Sequence, residues 1–454
     1  MNSTSNIVLD LGTTSIKTST LSSAGEFIEC QSTAAPRLTF DELKVRGNAQ
    51  DYCDTALRLL KRSYSKKNTQ QTLSITSQRS SFVIWSTKSG EALSPLISWQ
   101  DRSIENTQFL TNEQSEQLTQ ITGLVPSPYY LAFKLSEYLQ SHPEIKRDEI
   151  KRDEIKVGTM DTWVIWQLSH GRHHIMDKSM AARTALFNIH HEDWSTELLE
   201  LFNVSPSMLP NLISSTPKNI ELSQQWQLGS LIADQSASLV ALSNKPNTIN
   251  INIGTGAFVL KKIKADAQPI KGYQHALLYN DGTSHFGLEG AINGLSRSLE
   301  ILNIEYDSSP IIENEHFCCP DASGIGAPHW KSDTGFMCSA KDLKELSPAE
   351  SRSIFIEALI FRLLEIVSDL AAEGDSILLS GGASHDRVLL EAFTSCCKHE
   401  VYLSSIPEST GLGALKIISP QIQLAQPKRI ISDNYSYLKD KQQRWNKWFK
   451  ENCL

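Results

Sequence analysis

Ile7-Val8-Leu9-Asp10-Leu11-Gly12-Thr13-Thr14-Ser15-Ile16-Lys17-Thr18-Ser19-Thr20-Leu21 is an apolar run that meets a carboxylate, breaks at a glycine and two threonines, and resumes. It reads as strand, tight turn, strand, with Gly12 permitting the turn. The arrangement recurs near the middle as Ile249-Asn250-Ile251-Asn252-Ile253, Gly254-Thr255-Gly256 and Ala257-Phe258-Val259-Leu260. Two similar halves are expected.

Working outward, an amphipathic stretch from Asp51 to Ser63 precedes Leu73-Ser74-Ile75-Thr76, and an apolar stretch from Ile354 to Ala372 precedes Ile377-Leu378-Leu379 and Ser380-Gly381-Gly382. Each half therefore offers a hairpin and a helix-to-strand unit, the makings of an α/β domain. The connection between halves is expected near Ser243-Asn244-Lys245-Pro246-Asn247, giving domains 1–243 and 244–454. A charged tandem repeat, Glu144-Ile145-Lys146-Arg147-Asp148 and Glu149 to Asp153, continued by Glu154-Ile155-Lys156, suits a solvated surface helix. The tail from Tyr435 to Phe449 suits a docked amphipathic helix.

The composition narrows the function classes. A chain of 454 residues exceeds one core, and a mean hydropathy of -0.27 suits a soluble protein. The opening MNSTSN has no basic-then-apolar leader pattern, and a cytoplasmic protein is expected. Glu357, Arg362, Glu365 and Asp369 interrupt the most apolar stretch, so it reads as a buried helix and not a membrane span. A net charge of -8 disfavours nucleic acid as the main partner. The eight cysteines show no metal-ligand spacing and read as reduced thiols.

The Asp10 to Thr14 turn also carries chemistry. Phosphate binding needs exposed backbone N–H groups and short hydroxyls where no bulky side chain intervenes, and a carboxylate at a strand end can organise hydrated magnesium. Paired with Gly254-Thr255-Gly256, it suggests two turns serving one phosphate chain. No Gly-x-x-x-x-Gly-Lys-Ser/Thr loop is present, which disfavours a P-loop fold.

These motifs, in order, resemble those of the FGGY carbohydrate kinases along nearly the whole chain. The resemblance runs through Asp10 to Thr14, Thr76-Ser77-Gln78-Arg79, Ile97-Ser98-Trp99-Gln100-Asp101-Arg102, Thr122-Gly123-Leu124 and Pro128-Tyr129. It continues through Gly158-Thr159-Met160-Asp161-Thr162-Trp163, Arg183 to Ile189, Ala233-Asp234-Gln235, Gly254 to Gly256, Gly324 to Pro328 and Gly381-Gly382. It implies an α/β fold of two ribonuclease-H-like domains, of the actin, hexokinase and Hsp70 ATPase type, flanking a cleft. It also implies transfer of a phosphoryl group from ATP, with Mg2+, to a hydroxyl of a sugar or polyol.

Carried over by position, the resemblance makes Asp10 the magnesium-organising carboxylate, with Gly12, Thr13, Thr14, Lys17, Gly254, Thr255 and Gly256 around the phosphates. Gly381, Gly382 and Asp386 fall at the nucleotide pocket. The acceptor pocket maps to Arg79, Ser80, Trp99, Tyr129, Asp234, Gln235 and Phe258, with Asp234 as the base. These residue types suit a polyol, whose C–H faces pack on rings while its hydroxyls need placed donors and acceptors. Asp234 also suits a helix N-cap, since apolar residues follow Ala233-Asp234-Gln235-Ser236.

Departures from the family pattern bear on the substrate at Ser80 and on the adenine contact at Asp386. Ser80 stands where an acidic residue that holds polyol hydroxyls is expected, Glu137 where a tryptophan is expected, Leu131 where a small residue is usual, and Asp386 where an asparagine is expected. Glycerol or a related polyol is the leading acceptor, a ketose or other small sugar the second. An actin-like ATP-binding regulator without transferase activity is the reading from another class, disfavoured by Arg79, Trp99 and Asp234. The expected partner is a small molecule, not nucleic acid or a membrane, and a homodimer is left open.

Overall fold

In the computed structural model, residues 6–21, 27–64, 70–104, 110–147, 154–242, 247–304, 309–331, 334–406 and 408–454 are described. The chain forms two compact units. The first comprises Met1–Ala241, Ala276–Phe286 and Glu408–Leu424, and the second Leu242–His275, Gly287–Pro407 and Ala425–Leu454. The first crossing thus lies at 241/242, and two later segments return to the first unit. Residues 243–246, most of the expected connection, lie outside the described residues.

The first unit is built on a six-stranded sheet in the order Glu221–Ser223, Trp226–Ala233, Gln71–Ser77, Asn6–Leu11, Ser15–Leu21, Phe27–Ala34. Asn6–Leu11 and Ser15–Leu21 form the antiparallel hairpin read from the opening residues. Asn6–Leu11 pairs in parallel with Gln71–Ser77, which pairs in parallel with Trp226–Ala233. These central strands are buried on both faces, and in Gln71–Ser77 the buried positions include Ser74, Thr76 and Ser77 as well as Leu73 and Ile75. Helix Ala49–Ser63 supplies the crossover and buries Tyr52, Cys53, Ala56, Leu59 and Leu60. Its start is capped by Asn48, whose side chain accepts from Asp51 N.

The second unit repeats this topology. Thr248–Ile253 pairs antiparallel with Ala257–Ile263 and parallel with Ser376–Ser380. Helix Pro348–Leu370 supplies the crossover, opened by a capping box between Ser347 and Glu350. The charges that exclude a membrane span are handled inside this unit. Arg362 pairs with Asp321 at 3.1 Å and Glu357 with Lys441 at 2.6 Å. Lys441 belongs to the tail helix Leu438–Asn452, docked through Leu438, Trp445 and Phe449. No helix among the described residues is long and apolar enough to cross a membrane. All eight cysteines are free thiols.

Gly12 permits the turn as expected, and one local expectation is corrected. Gly12 is absent from the residues with positive φ. The turn requires glycine for space instead, because a Cβ there would stand 2.7 Å from the Ser15 carbonyl oxygen. The tandem repeat does not form one exposed helix. Its first copy gives a short helix, Glu144–Arg147, residues 148–153 lie outside the described residues, and Ile155 begins a strand, Ile155–Thr159, with its side chain buried. Its apolar position is claimed by the sheet, a tertiary demand that outweighs helical charge spacing.

Candidate active site

Parallel strands deliver their carboxyl ends to one edge of a sheet, where open α/β folds bind ligands. In the first unit that edge carries Asp10 on Asn6–Leu11, Arg79 and Ser80 just past Gln71–Ser77, and Asp234 just past Trp226–Ala233. In the pairing register, Asp10 stands opposite Thr76, and Thr76 opposite Ile232. Burial first, and the charge of Asp234 second, push the Asp10 carboxyl up to about 7; Lys17 acts in the opposite direction and Glu408 adds to the rise. Two carboxylates that repel across a partly buried edge form a donor set that a cation relieves. Among the described residues no group of three His, Cys, Asp or Glu side chains could hold a metal.

Asp234 opens helix Asp234–Leu242, and its Oδ1 accepts from Gln235 N at 2.7 Å. This bond from the neighbouring N–H leaves the second carboxylate oxygen for other partners. Helix Ser409–Lys416 packs so closely on this helix that a Cβ at Gly413 would lie 1.7 Å from the Ala237 carbonyl oxygen. Ser230 Oγ also donates to Ala414 O at 2.6 Å. The helix that begins at Asp234 is thereby held from behind.

Lys17, on Ser15–Leu21, ion-pairs with Glu408 at 2.9 Å. Thr14 is exposed, whereas the Thr13 hydroxyl is engaged on both sides: it donates to Gln78 Oε1 at 2.8 Å and accepts from Trp99 Nε1 at 2.8 Å. The short hydroxyl expected to face phosphate is thus engaged within the protein.

On the acceptor side, Trp99 meets Tyr129 edge to face with centroids 5.8 Å apart. Arg79 and Ser80 are buried. Ser80 has φ 61°, in the left-handed region uncommon outside glycine. Its Oγ donates to Arg183 O at 3.4 Å, and its carbonyl accepts from Lys134 Nζ at 3.4 Å. Lys134 also donates to Ser98 O at 2.9 Å, and burial pushes its ammonium down to about 7, with Asp101 opposing the fall. Phe258 lies in the second unit, on Ala257–Ile263.

That unit places Gly254, Thr255 and Gly256 in its hairpin turn, closed by Gly254 N donating to Gly256 O at 2.8 Å. Gly381 and Gly382 follow Ser376–Ser380. A small pocket is lined by Ile253, Gly254, Leu295, Phe355, Ala383 and Asp386 among others. The Asp386 carboxylate is already engaged: Oδ1 accepts from Val388 N and Leu389 N, capping Arg387–Cys396, and Oδ2 pairs with Arg352 at 2.7 Å.

Sequence reading assigned no role to Gln78, Tyr52, Lys134 or Glu408. Gln78 lay inside the quoted Thr76 to Arg79 motif, which is the only signal it carried. Glu408 carried none, because its partner is 391 positions away.

Comparison with known proteins sets this geometry in a family. The N-terminal domain model of the FGGY family of carbohydrate kinases matches residues 6–230, and the C-terminal domain model residues 249–418. The chain is 29% identical over 376 residues to a glycerol kinase of Lactobacillus delbrueckii subsp. bulgaricus, covering 75% of this chain and 73% of that protein. Its fold matches the crystal structure of Plasmodium falciparum glycerol kinase with ADP at a TM-score of 0.80, with 20% identity and 99% of each chain covered. It also matches a ligand-bound xylulose kinase from Lactobacillus acidophilus at 0.79, with 18% identity and coverage of 99% and 97%. The mixed α/β fold is the two-domain actin- and hexokinase-like one of these kinases. The chain belongs to the FGGY family of carbohydrate kinases, ATP-dependent phosphotransferases that act on an alcohol group.

Proposed function

We propose that this chain transfers the γ-phosphoryl group of ATP to a hydroxyl of glycerol or a related polyol, with Asp234 as the base. The observation that carries the reading is the pair Asp10 and Asp234 at the carboxyl edge of one sheet, close enough for the charge of one to raise the carboxyl of the other. Phosphoryl transfer asks a protein chiefly for positioning and charge neutralisation. Asp234 accepts the acceptor hydroxyl's proton, oriented by its bond from Gln235 N. The Gly12-Thr13 turn offers backbone donors to phosphate oxygens, and Lys17 supplies positive charge.

Asp10 would hold Mg2+ together with water and phosphate oxygens, the usual mode for an ion bound through one or two carboxylates. When bound, the ion neutralises charge on the phosphates. The adenine base belongs in the apolar pocket beside Asp386. The acceptor packs its C–H faces on Trp99 and Tyr129 and offers hydroxyls to Arg79, Asp234 and Gln235.

Ser80 favours a second reading, a ketose or other small sugar, because a buried hydroxymethyl replaces the acid expected there and leaves more room. A coupled assay of ATP consumption across glycerol, longer polyols, ketoses and aldoses tests both. Turnover with glycerol or another polyol supports the first and turnover confined to ketoses the second. ATP binding without turnover on any alcohol would overturn both.

A further inference from the structure

We propose that Gln78 is a positioning residue that ties the phosphate turn at Gly12-Thr13 to the aromatic wall at Trp99, so that one side-chain amide sets both. Gln78 is 5% exposed. Its Oε1 accepts from Thr13 Oγ1 at 2.8 Å and from Ser81 Oγ at 3.1 Å. Those hydroxyls in turn accept from Trp99, Thr13 from the indole Nε1 at 2.8 Å and Ser81 from the backbone N at 2.9 Å. Trp99 is thereby held at side chain and backbone, and both lines of hydrogen bonds end on one oxygen.

Proton bookkeeping requires this orientation. Each hydroxyl has one proton, and each uses a lone pair on a Trp99 N–H, which can only donate. Each hydroxyl proton therefore needs an acceptor, and Oε1 serves both. The amide nitrogen then faces the other way, donating to Tyr52 OH at 3.3 Å, while Tyr52 donates to Gly12 O at 2.8 Å. The Gln78 backbone N also donates to Leu11 O at 3.0 Å. The turn is held through Gly12 and Thr13 and the wall through Trp99.

The consequence for the reaction is alignment. Phosphate bound on the turn and an acceptor packed on Trp99 keep a fixed separation only while this ring is closed. Loss of Gln78 should therefore act on turnover more than on nucleotide binding, because a displacement of about 1 Å from the productive geometry costs on the order of a hundredfold.

Gln78→Met keeps the volume and removes both hydrogen-bonding functions; Gln78→Glu keeps the acceptor oxygen. In 15N-labelled protein, with the indole resonance assigned through Trp99→Phe, Gln78→Met should shift the Trp99 Nε1–H signal and speed its exchange. With ATP and glycerol, kcat should fall roughly ten- to a hundredfold while the Kd of ATP stays within about threefold, and Gln78→Glu should recover much of both signals. A folded Gln78→Met with wild-type kcat or an unmoved indole resonance would overturn the proposal. Should Gln78→Met not fold, a double-mutant cycle of Thr13→Val and Trp99→Phe decides: losses in kcat that fail to add support the ring, and additive losses sink it. The inference rests on the proposed kinase reading for its kinetic readout. If wild type phosphorylates no polyol, that acceptor reading fails and the indole resonance still decides the role of Gln78.

Discussion

Lys17 and Glu408 lie 391 positions apart and close a 2.9 Å ion pair within the unit that carries Asp10. Burial lowers the Lys17 ammonium, while its hydrogen bond and ion pair with Glu408 raise it, and the net shift is upward. An ammonium already held by a carboxylate is one for which phosphate must compete. Glu408→Gln should therefore tighten ATP binding severalfold, and Lys17→Ala should weaken it. Isothermal titration with ATP checks both. If Glu408→Gln weakens binding as Lys17→Ala does, the pair acts as one structural unit and not as a competition.

Asp234→Asn should lower kcat by about 10²–10⁴-fold, the usual worth of a general base. The amide oxygen still accepts from Gln235 N, so the melting temperature and ATP affinity should change little. Near-wild-type turnover in a folded variant would remove Asp234 from the mechanism.

Asp161 gives a pH-dependent prediction that does not rest on the proposed chemistry. It is buried at the start of helix Met160–Leu168, its Oδ1 has no hydrogen-bond partner among the described residues, and burial pushes its carboxyl from 3.8 up to about 6. A carboxyl raised in the native state stabilises the fold below its unfolded value, and that stability is lost as the pH rises through the folded value. Asp161→Asn does not titrate. The stability of Asp161→Asn relative to wild type should therefore grow between pH 4 and pH 7, by up to roughly 3 kcal/mol. Urea unfolding at the two pH values measures it, and a pH-independent difference would show that Asp161 does not titrate in this range.

Ser80 should decide acceptor length. Hydrogen bonds to charged groups contribute about 1.5–3 kcal/mol, so without the acid glycerol should bind roughly ten- to a hundredfold less well than in a pocket that has it. Wild type should prefer an acceptor longer than three carbons, and Ser80→Glu should shift preference toward glycerol. Position 80 is in the left-handed region whichever side chain it bears, and that strain cancels in the ratio of kcat/KM for glycerol to that for the best longer acceptor. A wild type that favours glycerol, with a ratio unmoved by the substitution, would assign specificity to another residue.

The sequence by itself determined what local patterns can carry. The Ile7 to Leu21 hairpin, its echo at Ile249 to Leu260 and the helices before Leu73 and Ile377 follow from hydrophobic runs and short turns. Asp10 was legible as a carboxylate at the end of an apolar run, the motifs identified the family, and Asp234 was assigned its role only through that resemblance. Tertiary structure decided what depends on neighbours remote in the chain: the Lys17 pair with Glu408, the commitment of the Thr13 hydroxyl to Gln78 and Trp99, and the left-handed backbone of Ser80 above Lys134. It also decided that Gly12 answers to the Ser15 carbonyl and not to a positive φ, and that Ile155 belongs to a strand. The physical reason is common to all of these. A hydrogen bond or a steric demand between distant segments leaves no periodicity in either, so only the folded chain specifies which groups it brings together.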